Sequence, residues 1–193
     1  VFGLQTFNKR MLKLLGRQHK LHDAHKAVYL ANALGYDNWG GDLIYALPKQ
    51  TARMLSADLD HLVDLDPPHI SLYELAIEPG TPLAENVGGG KLKMPDDELK
   101  AALGRGAYEY LIEAGYERYE VCSFARPGHE CQHNMGYWQG SDYLGLGPSA
   151  HSYLNGRRFA NTRSLTEYVD TLSQRRRPIV VDESGVEQRI MET

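Results

Sequence analysis

The stretch Asp42-Leu-Ile-Tyr-Ala-Leu-Pro-Lys-Gln-Thr51, followed by Pro67-Pro68 and His69-Ile-Ser-Leu-Tyr-Glu-Leu75, decides the fold class. Asp42–Tyr45 and His69–Leu75 are short apolar-rich runs with aromatic and β-branched members, the composition of buried strands. Between them Thr51 stands where an N-cap belongs, and Leu55, Leu59, Leu62 and Val63 form an apolar stripe on a helix running to about Asp64. Strand, helix and strand in this order make a βα unit, and such units build parallel sheets.

The same rhythm continues towards the N-terminus. Val1–Phe7 reads as a strand, and Asn8 caps a helix over Lys9–Leu15 with Gly16 at its C′ position. A second helix is expected over about His22–Leu34, with Ala24, Ala27, Val28, Ala31 and Leu34 on one side and Gly35 as its stop.

Towards the C-terminus the pattern changes near residue 78. Glu78-Pro-Gly-Thr-Pro82 and Gly88-Gly-Gly90 are loop chemistry. A helix starts at Asp96 or Asp97 and reaches about Ala114, and Tyr116–Phe124 alternates as one strand. Ala125–Leu154 shows little periodicity but is dense in Gly, His, Asn, Tyr and Trp, and loops that long are usually functional. Ser164–Leu172 is a short helix, with Arg175–Arg177 as its solvated end. Val1 is not a Met, and Gly185–Thr193 reads as the opening turns of a helix without a stop signal, so both ends read as cuts in a longer protein.

Composition excludes several classes. With 193 residues, 24% charged and 42% hydrophobic, the chain has globular rather than disordered composition. Lys plus Arg number 21 against 25 Asp plus Glu, a net charge of −4, which argues against a broad nucleic-acid footprint. No apolar run approaches the roughly 20 residues of a membrane span. Cys122 and Cys131 are the only cysteines, so no disulfide framework is expected and a reducing, cytoplasmic setting is the default.

Ligands of parallel βα sheets bind at the C-terminal ends of the strands. Gln5, Asp42, Glu74 and Ala76 are expected there, a set that suits a ligand rich in hydroxyl and amine groups such as a nucleoside. The alternative is that Gln5 and Asp42 cap local backbone groups. His129-Glu-Cys-Gln-His133-Asn134-Met-Gly-Tyr137-Trp138 carries the richest chemistry. An imidazole ligates a metal or haem iron, and Tyr and Trp offer flat apolar surface to a macrocycle. The alternative is a loop-bonded His133 beside a core Trp138. His19, His22 and His25 match no zinc-finger spacing and read as exposed helix-start residues. Cys122 and Cys131 match neither a CxxC pair nor an iron–sulfur run. Gly145-Leu-Gly147-Pro148 is an incomplete phosphate loop.

Taken in order, these segments resemble one family. Gly3-Leu-Gln5-Thr-Phe7, Leu15-Gly-Arg17-Gln-His19, Asp42–Thr51, His69–Tyr73 and Glu78–Pro82 are similar to the oxygen-independent coproporphyrinogen III oxidase family of radical SAM proteins. Gly115-Tyr116, Tyr119-Glu120, Phe124–Pro127, His133-Asn134-x-x-Tyr137-Trp138 and Asp142–Gly147 look most like its HemW-like branch of haem chaperones. The resemblance covers nearly the whole chain. It implies an α/β fold: the last three βα units of a (βα)6 partial barrel over residues 1–80, and a small α+β C-terminal region over 81–193. It also implies that Gln5, Arg17, Asp42, Ala76 and His151 line an S-adenosylmethionine (SAM) site. Asp42 would accept from the ribose hydroxyls, with Arg17 and Gln5 addressing the methionine end or the ribose. His133, Asn134, Tyr137 and Trp138 would bind haem, with His133 as axial ligand to the iron. The implied partners are haem or a porphyrin(ogen) and a haem-acceptor protein.

Two departures from the family pattern stand out. Ala46 replaces the usual Gly before Leu-Pro, and the CxxxCxxC run is missing together with the glycine-rich segment that meets the SAM methionine. The [4Fe–4S] cluster, which in the family cleaves SAM to a 5′-deoxyadenosyl radical, is therefore expected only in a full-length parent. Three outcomes follow for function: a haem-binding chaperone, an oxidase converting coproporphyrinogen III to protoporphyrinogen IX, or an inactive fragment whose sheet edge is uncovered and prone to aggregate.

Overall fold

The computed structural model describes residues 1–183. The expected helix over Gly185–Thr193 lies outside the described residues. The chain forms two compact units, residues 1–130 and 131–193.

In the first unit, β1 (Phe2–Gln5), α1 (Lys9–Leu14), α2 (Leu21–Ala33), β2 (Gly40–Tyr45), α3 (Ala52–Asp64) and β3 (His69–Glu74) follow in the expected βα order. The sheet runs β1-β2-β3, all parallel, with β2 in unbroken register from Gly40↔His69 to Tyr45↔Glu74. Helix ends obey local chemistry. The Asn8 side chain accepts from the backbone N–H groups of Arg10 and Met11, and Thr51 Oγ1 accepts from that of Met54. The stripe expected on α3 is real: Leu55, Leu59 and Leu62 are buried against Leu4, Leu43 and Leu72. Each such leucine contributes about 2 kcal/mol of burial. On α2, Ala24, Val28 and Ala31 face inwards as expected, but Leu34, beyond the last helical turn, is exposed.

Residues 81–130 complete this unit. The segment read as loop chemistry holds a short helix, α4 (Pro82–Gly88), capped by Thr81. Then α5 (Asp97–Glu113) starts at its Asp96 cap and buries Leu103, Ala107 and Leu111. Gly104 lets α5 approach the Tyr45 ring, because a Cβ there would lie 3.0 Å from the phenol oxygen. The single strand expected over Tyr116–Phe124 is instead two short antiparallel strands, β4 (Glu117–Arg118) and β5 (Ser123–Ala125), the second of which pairs antiparallel with β3. The alternation seen in the sequence came from the two arms of a turn. Compactness divides the chain at 130/131, and the expected boundary at 80/81 falls within the first unit.

The second unit contains α6 (Gln132–Trp138), β6 (His151–Leu154), β7 (Arg157–Asn161), α7 (Leu165–Ser173) and β8 (Ile179–Glu183). The three strands form an antiparallel sheet in the order β6-β7-β8. The stretch read as irregular therefore holds a helix and the first strand of a hairpin. A seven-residue helix is too short to display a period, which is why the pattern hid it. Arg175–Arg177 follow α7 and are exposed, as expected.

Candidate functional site

Alternation along β2 and β3 separates two faces of the first sheet. Leu43 and Tyr45, with Ile70 and Leu72, join the core beneath the helices. Asp42 and its cross-strand partner Ser71 fall on the opposite face, where Ser123 continues the row opposite Ser71. Ser71 and Ser123 are buried, and Asp42 is half-buried. Burial pushes the Asp42 carboxyl up, while a hydrogen bond with Ser71 and the nearby Arg17 charge pull it down.

Gln5 ends β1 in the left-handed region, at φ 68°, and its amide is buried. Its side chain folds back over Gly3, where a Cβ would come within 2.9 Å of Nε2. Arg17 donates from Nη2 to Gln5 Oε1 across 3.1 Å. The turn after Gln5 is fixed from behind by Asp58 of α3, which accepts from Thr6 Oγ1 at 2.6 Å and from the Phe7 N–H at 2.8 Å. Burial pushes the Asp58 carboxyl up, and these two bonds oppose the shift.

The structure thus joins Gln5 to Arg17 and leaves Arg17 close enough to act on Asp42. One expectation is corrected. Asp42 stands in the middle of β2, not at its C-terminal end, because β2 begins at Gly40 and runs to Tyr45. The stagger of β1 compensates, since Gln5 pairs with Leu43, next to Asp42. The Gln5 side chain accepts from the Arg17 side chain, and Ser71 lies opposite Asp42 in the register of β2 and β3. Ala76 is exposed just beyond β3. His151 opens β6 in the second unit and is exposed. Ser71 was missed in the sequence, although its register opposite Asp42 follows from aligning the two strands.

In the second unit, His133, Asn134, Tyr137 and Trp138 all lie on α6. His133 and Tyr137 share one face at i,i+4 spacing, and their rings meet edge to face at 4.7 Å and 82°. Tyr137 and Trp138 are 45% and 37% exposed, so Trp138 is not the core residue of the alternative reading. A cavity of about 270 Å³ opens beside this face, lined by His133, Gly136, Tyr137, Ser141 and Tyr143 among others. An exposed imidazole beside flat aromatic surface is a donor set that fits a haem-type macrocycle.

Several of the other sequence candidates are tied up by the protein itself. Gly145 N–H donates to Ser152 Oγ and Gly147 N–H to Tyr168 Oη, while Asn161 Nδ2 donates to both glycine carbonyls. That loop spends its amides on side chains, and not on a phosphate. His22 pairs with Asp23 at 2.9 Å, and His25 lies against the Phe7 ring. Cys122 belongs to the first unit and Cys131 to the second, and burial pushes the Cys122 thiol up, away from the thiolate a metal needs. These residues do not fit a [4Fe–4S] cluster.

Comparison with known proteins places this architecture. The fold is that of coproporphyrinogen III oxidase from Escherichia coli, described as a radical SAM enzyme, with a TM-score of 0.74 at 24% identity over 92% of this chain and 43% of that one. No protein-family model matches the chain. In sequence the chain is homologous to haem chaperones named HemW. The Synechocystis protein is 38% identical over 170 residues, 88% of this chain and 41% of the relative. The Escherichia coli one is 37% identical over 165 residues, 84% of this chain and 43% of the relative. The chain therefore spans less than half the length of these curated relatives. Among the described residues no helix is long and apolar enough to cross a membrane.

Proposed function

We propose that this chain is the haem-binding and part of the SAM-binding portion of a cytoplasmic haem chaperone of the HemW type. Residues 1–80 are then the last three βα units of a radical SAM barrel, and 81–193 the chaperone-type C-terminal region. The observation that carries the reading is the exposed face of α6, where His133 stands perpendicular to Tyr137 beside an open cavity.

Haem, when bound, would supply an iron centre that an imidazole nitrogen can ligate. In this reading His133 provides that nitrogen, while Tyr137 and Trp138 offer apolar ring surface to the macrocycle and Asn134 adds a polar group on the same helix. In the first unit Asp42 accepts from ribose hydroxyls of SAM. Arg17, held by Gln5, presents its remaining N–H donors to the methionine carboxylate or the ribose. Ala76 and His151 are assigned to SAM on the family resemblance.

The function is tested by loading the chain with haem and adding an excess of an apo-globin as acceptor. Haem appearing on the globin faster than free haem leaves the chain supports the chaperone reading. A chain that takes up no haem contradicts it, and formation of protoporphyrinogen from coproporphyrinogen by the protein favours the oxidase reading instead.

A further inference from the structure

Beyond α6 the aromatic contacts continue. The Tyr137 ring meets Tyr143 edge to face at 4.6 Å and 80°, and Tyr143 stacks on Tyr153 at 6.3 Å and 26°. Tyr143 is tied to the sheet by backbone: its N–H donates to the Tyr153 carbonyl at 2.7 Å, and the Tyr153 N–H donates to its carbonyl at 2.9 Å. Tyr153 lies within β6, paired with Arg158 of β7. The neighbouring Asp142 carboxylate accepts from the Asn155 N–H at the hairpin turn, a second tie between this segment and the sheet. Tyr143 also lines the cavity beside His133.

A short helix with an exposed histidine does not by itself fix the plane of the imidazole, because rotation about χ2 is soft. Perpendicular ring pairs restrict that rotation: each edge points at a neighbour's face and loses its contact on turning. Here the restriction passes from the hairpin to Tyr143, from Tyr143 to Tyr137, and from Tyr137 to His133. We propose that Tyr143 is a positioning residue for His133, setting the orientation of the imidazole from the β6–β7 hairpin and forming one wall of the ligand cavity. The inference rests on the reading of His133 as a haem ligand. It adds a residue that neither touches the iron nor lies on the helix that does. Its chemistry demands a ring at position 143 and is indifferent to the phenol hydroxyl.

The test is a haem titration of the 193-residue chain and its variants, read in the Soret region and in the low-spin paramagnetic resonance spectrum, which reports the orientation of an axial imidazole. Tyr143→Phe keeps affinity within about two-fold and leaves the spectrum unchanged. Tyr143→Leu weakens binding about ten-fold, equivalent to roughly 1.4 kcal/mol, and broadens or shifts the low-spin signal. In the haem-free chain, the His133 ring proton resonances move in Tyr143→Leu and not in Tyr143→Phe. If Tyr143→Leu unfolds the unit, Tyr143→Met, which fills the space without a ring, carries the same expectations. Wild-type affinity and spectrum in a folded Leu or Met variant overturn the inference alone, provided His133→Ala abolishes the band. A Soret band that survives His133→Ala overturns the reading on which the inference rests.

Discussion

The Arg17 guanidinium donates to Gln5 Oε1 at 3.1 Å, fastening the loop after α1 to the end of β1. Gln5 is buried and sits at positive φ, so its amide is committed to one direction and Arg17 is committed with it. The two residues act as one device. Arg17→Ala and Gln5→Ala should each weaken binding of SAM or its demethylated analogue about ten-fold, and the double variant little further, because removing either breaks the same bond. Calorimetric titration of the four proteins decides it, and additive losses would show that the residues act separately.

Asp58 closes the same turn from the other side. Asp58→Ala leaves Thr6 Oγ1 and the Phe7 N–H without their buried acceptor and should cost about 3 kcal/mol in a urea melt, with Asp58→Asn costing less than half of that. Equal losses in the two variants would mean that packing, and not hydrogen bonding, is what Asp58 provides.

His69 gives a pH dependence. Its Nε2 meets the Tyr119 hydroxyl at 2.7 Å inside the sheet, and burial lowers its pKa below the ordinary value of 6.5, with Glu120 opposing. Between 6.5 and the lowered folded value, the unfolded chain holds a proton that the folded chain does not, so stability rises with pH in that window. This contribution is complete above about pH 6.5 and is lost as the pH falls, by at most about 1.4 kcal/mol per unit. His69→Gln should flatten the stability profile between pH 7 and 5. A variant profile parallel to wild type would assign the slope to other groups.

Two glycines separate backbone from side-chain crowding. A Cβ at Gly145 collides with the carbonyl oxygen of His151, which has no room to yield. A Cβ at Gly41 meets the ends of Leu62 and Leu4 at 2.9 and 3.0 Å, and these side chains can turn away. Gly145→Ala should open the second unit to proteolysis within residues 141–161 and cost more than 2 kcal/mol, with Gly41→Ala nearer 1 kcal/mol. Equal resistance of both variants to protease would contradict the close approach at Gly145.

Where the sequence carried period, caps and strand composition together, its reading matched the structure. Thr51, the leucines of α3 and the β-rich run at His69 are three such signals in one unit, and the parallel order followed from them. The division of Tyr116–Phe124 into two strands was not legible, since alternation continues through a tight turn when both arms present the same face. Position along a strand was not legible either: β2 opens two residues before Asp42, at Gly40 and Gly41, and both glycines are paired with β3. At the aromatic site His133, Tyr137 and Trp138 were visible as chemistry, whereas Tyr143 and Tyr153 were not. They meet through a backbone bridge between positions ten residues apart, and no periodic signal records such a contact.

The proposed function stands or falls with His133 of α6 as a haem ligand. It is tested most directly by titrating haem into the wild-type chain and into His133→Ala, with circular dichroism confirming that both are folded. The wild type should show a saturable Soret band of one haem per chain, and the variant should lose it. A band of equal amplitude and affinity in His133→Ala would contradict the proposal.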